Sequence, residues 1–266
     1  MYRNTFLSVM FLACCFNGSL CAQSDAQIYE RTCDAKTYPF SDPSPVATPN
    51  NSYYPYFRFD GFSMQAQEKQ WKMVVLENDY VKLTVTPEIG GKIWGAIDKV
   101  NNKEFVYTNG VVKFRDVAMR GPWTSGGIEF NFGIIGHAPT CSTPIDYLTK
   151  KNVDGSVSCH IFSYEWITRT VWNVEISLPK DKAYFTTHTT WFNQSSIDQP
   201  YYQWMNAGYA TKTGTRFYYP GTYSIGHSGD LHPYPIDEEG RDVSWYDNNN
   251  FGASKSLHII GDYNDY

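Results

Sequence analysis

Clustered basic residues are missing from this chain, and that absence excludes nucleic acid as a partner. Lys and Arg number 22 against 27 Asp and Glu, the formal net charge is −5 and the pI is about 5.7. Phosphate recognition needs Lys and Arg gathered on one face to displace counterions. Charge of either sign is sparse, at 18%. Cysteine is also sparse: past the N-terminal leader only Cys33, Cys141 and Cys159 remain, an odd number that permits one disulfide at most. Cys141 and Cys159 flank an expected hairpin and are the two placed to pair, if any do. No CxxC or His/Cys spacing of metal-ligand type occurs, so neither a metal nor another cofactor is expected. Past the leader no apolar run approaches the roughly 20 residues that cross a bilayer, which predicts no membrane partner. A helical period is lacking beyond a turn or two.

What the chain has in abundance is aromatic side chains, at 17%, including 21 Tyr and 8 Trp. Such rings offer flat apolar faces with a polar edge, which suit the C–H faces and hydroxyls of sugars. They serve equally as cross-strand pairs in a β-rich core.

The first residues read as a secretory leader. Arg3 supplies the positive start, Thr5 to Phe16 the short apolar run, and Leu20-Cys21-Ala22 the cleavage region. Residues 1–22 are therefore expected to be a signal peptide. A lipoprotein anchored through Cys14, Cys15 or Cys21 is the competing reading, but Phe11-Leu12-Ala13-Cys14 is a poor version of that signal. Export to the periplasm or the exterior is the expectation.

Residues 23–62 are expected to form an extended arm, because Pro39, Pro43, Pro45, Pro49 and Pro55 forbid a helix or a central strand there. Beyond Trp71 strands and turns follow one another. Val81, Leu83 and Val85 alternate with Lys82, Thr84 and Thr86, and Trp172, Val174, Ile176 and Leu178 alternate in the same way. Asp154-Gly155 predicts a hairpin between Tyr147–Asn152 and Ser156–Tyr164. Lys92 to Ile97, Glu104 to Tyr107, Ala183 to Phe192 and Tyr201 to Ala210 are further strands. The fold class is all-β, a sandwich or barrel over residues 63–266.

One stretch carries the most chemistry: Arg120-Gly-Pro-Trp-Thr-Ser-Gly-Gly-Ile-Glu-Phe-Asn-Phe-Gly-Ile-Ile-Gly-His137. On a strand, Ile128, Phe130 and Phe132 face one way and Glu129 and Asn131 the other. Gly126 and Gly127 enter that strand, and Gly133 and Gly136 leave it, letting the backbone turn or approach a ligand. An acid, an amide and an imidazole converge where a polar molecule could lie against a sheet.

That block resembles a known pattern, as do Leu76-Glu-Asn-Asp-Tyr-Val-Lys-Leu-Thr-Val-Thr-Pro-Glu-Ile-Gly-Gly-Lys-Ile-Trp94 and Gln203-Trp-Met-Asn-Ala207. Together they are similar to the bacterial family called domain of unknown function 5107, over roughly Tyr53 to the C-terminus. The resemblance implies a galactose mutarotase-like β-sandwich (supersandwich), as in several glycoside hydrolases, and a carbohydrate ligand. It also implies that such a domain runs on past the region of Tyr266, so the chain is expected to be C-terminally truncated.

Within that frame Glu129 and His137 are the candidate catalytic acid and base, since anomeric chemistry needs groups that accept and donate protons. The competing roles are a salt bridge to Arg120 for Glu129, and a backbone contact for His137. Arg120, Trp123, Asn131 and Asn206 are the candidate sugar contacts, each with an ordinary packing or hydrogen-bonding alternative. Mutarotation needs one acid and one base. Glycoside hydrolysis needs two carboxyl groups, the second coming from Asp237, Glu238, Asp242 or Asp247, or from beyond the chain. Three readings stand: an exported glycoside hydrolase or aldose 1-epimerase-like enzyme, a non-catalytic glycan-binding module, and an assembly module that binds no glycan.

Overall fold

The computed structural model describes residues 24–39, 63–118, 121–132, 139–165, 168–200, 203–226 and 229–248. The expected signal peptide, most of the Pro-rich segment, Arg120 and His137 lie outside them. The described residues are all-β apart from two single turns of 3-10 helix, at Pro139–Ser142 and Tyr246–Asn248.

The chain enters on β1 (Gln27–Tyr38), which pairs antiparallel along its length with β2 (Gln67–Glu77). The segment expected as an arm thus begins with a strand of the main sheet. Its polar sequence hid this, because β1 is largely exposed and carries no clean apolar alternation. Next come β3 (Val81–Thr86), β4 (Lys92–Asp98), β5 (Lys103–Val106) and β6 (Val112–Lys113). A small hairpin of β7 (Arg115–Ala118) and β8 (Gly121–Trp123) leads into β9 (Ile128–Phe132).

Four strands then form a meander of their own: β10 (Asp146–Lys151), β11 (Val157–Glu165), β12 (Thr170–Leu178) and β13 (Thr186–Asn193). The chain returns to the first sheet as β14 (Gln203–Ala207), and a last hairpin joins β15 (Tyr223–Ile225) to β16 (Leu231–Pro233). The large sheet runs β14-β9-β4-β3-β2-β1-β6, with β5 also on β4.

The expected hairpin is present, with Gly155 at φ +82°, a left-handed turn conformation that glycine adopts without a Cβ penalty. The Glu-Asn-Asp-Tyr motif also has a physical role. Asn78 Oδ1 accepts from the amides of Tyr80 and Val81 at 2.8 and 2.7 Å. Its Nδ2 donates to the carbonyls of Pro179 and Lys182 at 2.7 and 2.8 Å, which binds the β2–β3 turn to the β12–β13 turn. One side chain thus locks the two sheets at one end.

Both predicted alternations point inward. Val81, Leu83 and Val85 join Ile93, Ile128, Phe130 and Phe132 from the large sheet, and Val157, Cys159, Ile161, Trp172, Val174, Ile176 and Leu178 from the small one, in a single core. Two sheets closed over one core make a β-sandwich. Phe132 stacks on Trp172 with ring centroids 4.4 Å apart and planes 10° apart. A second cluster, of Trp71, Met73, Ile89, Trp94, Val112 and Phe114, lies apart from that core. Trp71 Nε1 donates to Thr37 Oγ1 at 2.9 Å within it, so the indole is buried with its polar atom satisfied.

Cys141 and Cys159 do not form the disulfide that their spacing allowed. Burial pushes the Cys159 thiol up to about 12, since a thiolate in the apolar core would lose its hydration.

Candidate functional site

The site is built where β4 and β9 meet. They share a single bridge, Ile93 to Ile128. With both isoleucines turned into the sandwich core, Lys92 and Glu129, one residue along each strand, turn to the opposite face. Gly127 makes the meeting possible: its φ is +67°, and a Cβ there would collide with the Ile93 carbonyl oxygen. Its amide donates to the Tyr107 carbonyl at 2.8 Å, and its own carbonyl accepts from the Gly208 amide at 2.8 Å. The glycines were expected to let the backbone turn or approach a ligand; at Gly127 the close approach is to a neighbouring strand.

The expected open polar face is not open. All five residues of β9 are buried, with Glu129 2% and Asn131 0% exposed. Asn131 Nδ2 donates to Glu129 Oε1 at 2.8 Å, and Lys92 Nζ lies 3.9 Å from Glu129 Oε2. The cation beside Glu129 among the described residues is thus Lys92, whereas Arg120 lies outside them. The sequence carried little sign of this, because lysine is almost never fully buried and nothing local announces a partner 37 positions along. The one available signal was a lysine set between Gly91 and Ile93-Trp94 at the start of an apolar strand.

Lys92 is held on every side. Its Nζ donates to the Thr124 carbonyl, and to Thr124 Oγ1 at 3.1 Å. It also lies 5.7 Å from the Trp123 ring centroid and 6.0 Å from that of Trp94, within range of cation–π attraction. Burial pushes its ammonium below the ordinary lysine value, with the Glu129 carboxylate pulling the other way. Trp94 Nε1 in turn donates to the Asn109 carbonyl at 3.2 Å, and Asn109 Nδ2 to Ser125 Oγ at 2.6 Å. The loop that carries Thr124 and Ser125 is therefore tied to β4 from two directions.

Asn206 joins this group through β14. It stands opposite Glu129 in the β14–β9 register, and Trp204 stands opposite Asn131. Directly opposed residues of an antiparallel pair share a face. Asn206 is exposed and Trp204 and Trp123 are half-buried, so these three form the accessible margin of a buried Lys–Glu–Asn cluster. Of the predicted site residues, Glu129, Asn131, Asn206 and Trp123 come together, and Lys92, Thr124 and Trp94 are added.

Of the acids expected to supply a second carboxylate, three are engaged by partners outside the cluster. Asp237 pairs with Arg241 at 2.7 Å, Asp242 accepts from the Ser244 amide at 3.1 Å, and Asp247 accepts from the Gly214 amide at 2.8 Å. Glu238 is exposed on a turn. His160 lies 3.7 Å from Glu175 within the small sheet. Among the described residues no group of three or more His, Cys, Asp or Glu side chains is placed to hold a metal ion. No helix among them is long and apolar enough to cross a membrane.

Residues 48–266 match the family model described as Domain of unknown function (DUF5107), and the chain belongs to that family. It is also similar to the crystal structure, at 2.26 Å resolution, of a TPR-domain containing protein from Parabacteroides distasonis ATCC 8503. The TM-score is 0.69 and the identity 26%, over 76% of this chain and 35% of that one. The chain thus spans about a third of that protein's length.

Proposed function

We propose that this member of the DUF5107 family is an exported carbohydrate-binding protein on a galactose mutarotase-like sandwich. We propose further that it acts on the bound sugar as a glycoside hydrolase or aldose 1-epimerase-like enzyme. The observation that carries the reading is the buried Lys92–Glu129–Asn131 cluster, set beside indole faces and bordered by exposed Asn206. Replacing a buried ion pair by apolar packing is often neutral or stabilising, so such a pair is better explained by a site than by stability. Indole faces beside amide and carboxylate groups suit a ligand with apolar C–H faces and many hydroxyls.

In this reading Glu129 and His137 exchange protons with the sugar, while Arg120, Trp123, Asn131 and Asn206 hold its hydroxyls and ring. The chemistry requires no metal or cofactor. The leader at residues 1–22 is the ground for export. A second reading, a non-catalytic glycan-binding module, is favoured by the 2% exposure of Glu129, which leaves Asn206 to meet a ligand first.

The test is a monosaccharide and glycan panel offered to wild type and Glu129→Gln, with sugar release and anomer exchange followed on every binder. Turnover lost in the variant, with binding weakened but still measurable, is the expected result. Binding without turnover in either protein selects the second reading. A wild type that binds nothing sinks both.

A further inference from the structure

We infer that Lys92 is a positioning residue of this site, one that acts on a ligand only through Glu129. The inference rests on the carbohydrate reading above. The Lys92 side chain is 2% exposed and its ammonium is already committed to the Thr124 carbonyl and hydroxyl, so what it does for a ligand it does through the parts of the site that it joins. It starts β4, an internal strand flanked by β3 and β9. From there it reaches the carbonyl and hydroxyl of Thr124 on the β8–β9 connection, and comes within 3.9 Å of the Glu129 carboxylate on β9. Asn131 holds the other carboxylate oxygen at 2.8 Å.

Asn131 fixes one carboxylate oxygen by a hydrogen bond, and the Thr124 anchor sets where the ammonium stands relative to the other. The surface pairs elsewhere differ. Lys99 and Glu77 meet at 2.7 Å with 33% and 24% of their side chains in solvent, where water can replace either partner. The side chains of Lys92 and Glu129 are 2% and 3% exposed, shut away from bulk water. Removal of the Lys92 charge leaves Glu129 buried with Asn131 alone of these two neighbours, and the carboxylate must turn, move or take a proton.

The experiment is a double-mutant cycle on the full chain with Lys92→Met, Glu129→Gln and the two together. It reads both the dissociation constant for the best binder of the glycan panel and the melting temperature. The expected result is an affinity loss of about tenfold or more for each single variant, with the double variant no worse than the weaker-binding single, because both changes disable one unit. Wild-type affinity in Lys92→Met with a lowered melting temperature would overturn the inference and leave the carbohydrate reading intact. Additive losses would also overturn it, since Lys92 would then act independently of Glu129. A wild type that binds no glycan removes the carbohydrate reading and this inference with it. Should Lys92→Met fail to fold, Lys92→Arg and the charge-free double variant carry the test. Affinity kept by arginine and lost in the double variant supports positioning; equal losses in the two overturn it.

Discussion

β9 and β12 read alike in sequence and fold differently. Each alternates apolar and polar residues, and each sends its apolar set into the same core, where Phe132 of one stacks on Trp172 of the other. Along β12 the second set, Val171, Asn173, Glu175 and Ser177, stays partly in solvent. Along β9 the second set, Glu129 and Asn131, is shut away with Lys92. A period of two decides which residues share a face; it is silent on whether the other face meets water. The polar face of β9 is where the molecule keeps a buried charge pair.

Four experiments break or sharpen this contrast. Trp172→Ala attacks what the two strands have in common. It removes the ring on which Phe132 stacks and should cost about 4 kcal/mol in urea denaturation, the range for a large aromatic lost from a core. A loss under 1 kcal/mol would mean that the two sheets do not share the core described.

Lys92→Met attacks what is special to β9. Leaving Glu129 buried without its cation should cost about 3 kcal/mol, and Lys92→Met with Glu129→Gln should recover much of that loss. The same melts check both. Recovery to wild type or above would show that the pair is kept for reasons other than stability.

Gly127→Ala tests the close approach that brings β9 to β4. The left-handed φ and the collision with the Ile93 carbonyl should cost about 2 kcal/mol. Gly214→Ala is the control, because it shares a positive φ but a Cβ there meets nothing; it should cost about 1 kcal/mol.

The smallest effect is at the surface pair. Burial alone would raise the Glu77 carboxyl, but hydrogen bonds from Lys99 and Tyr29 and the Lys99 charge hold it below its ordinary value. A carboxyl depressed in the folded state stabilises fully above the ordinary carboxylate range and loses that contribution as pH falls through the folded value. Glu77→Gln should therefore flatten the acid side of a pH–stability curve by under about 1 kcal/mol, as expected for a solvent-screened pair. An unchanged curve would show that the Lys99 contact contributes nothing in solution.

Much of the fold was legible because it is local. β3, β12 and the β10–β11 hairpin follow from alternation and an Asp-Gly turn, signals contained in a few consecutive residues. β1 was not legible: only its pairing with β2, some 40 positions later, makes a strand of a polar segment. The site divides in the same way. Glu129, Asn131, Trp123 and Asn206 were found from their motif, and the structure brings them together; Lys92 was passed over as the first residue of a strand.

By itself the sequence determined the all-β class, the faces of the alternating strands and the block that carries the polar residues, since each depends on neighbours along the chain. Only the tertiary structure decided that Glu129 is buried, that its described cation is Lys92 and that Asn206 stands opposite it. Those facts depend on strands far apart in the chain reaching one another, and on a glycine that lets them pack backbone to backbone.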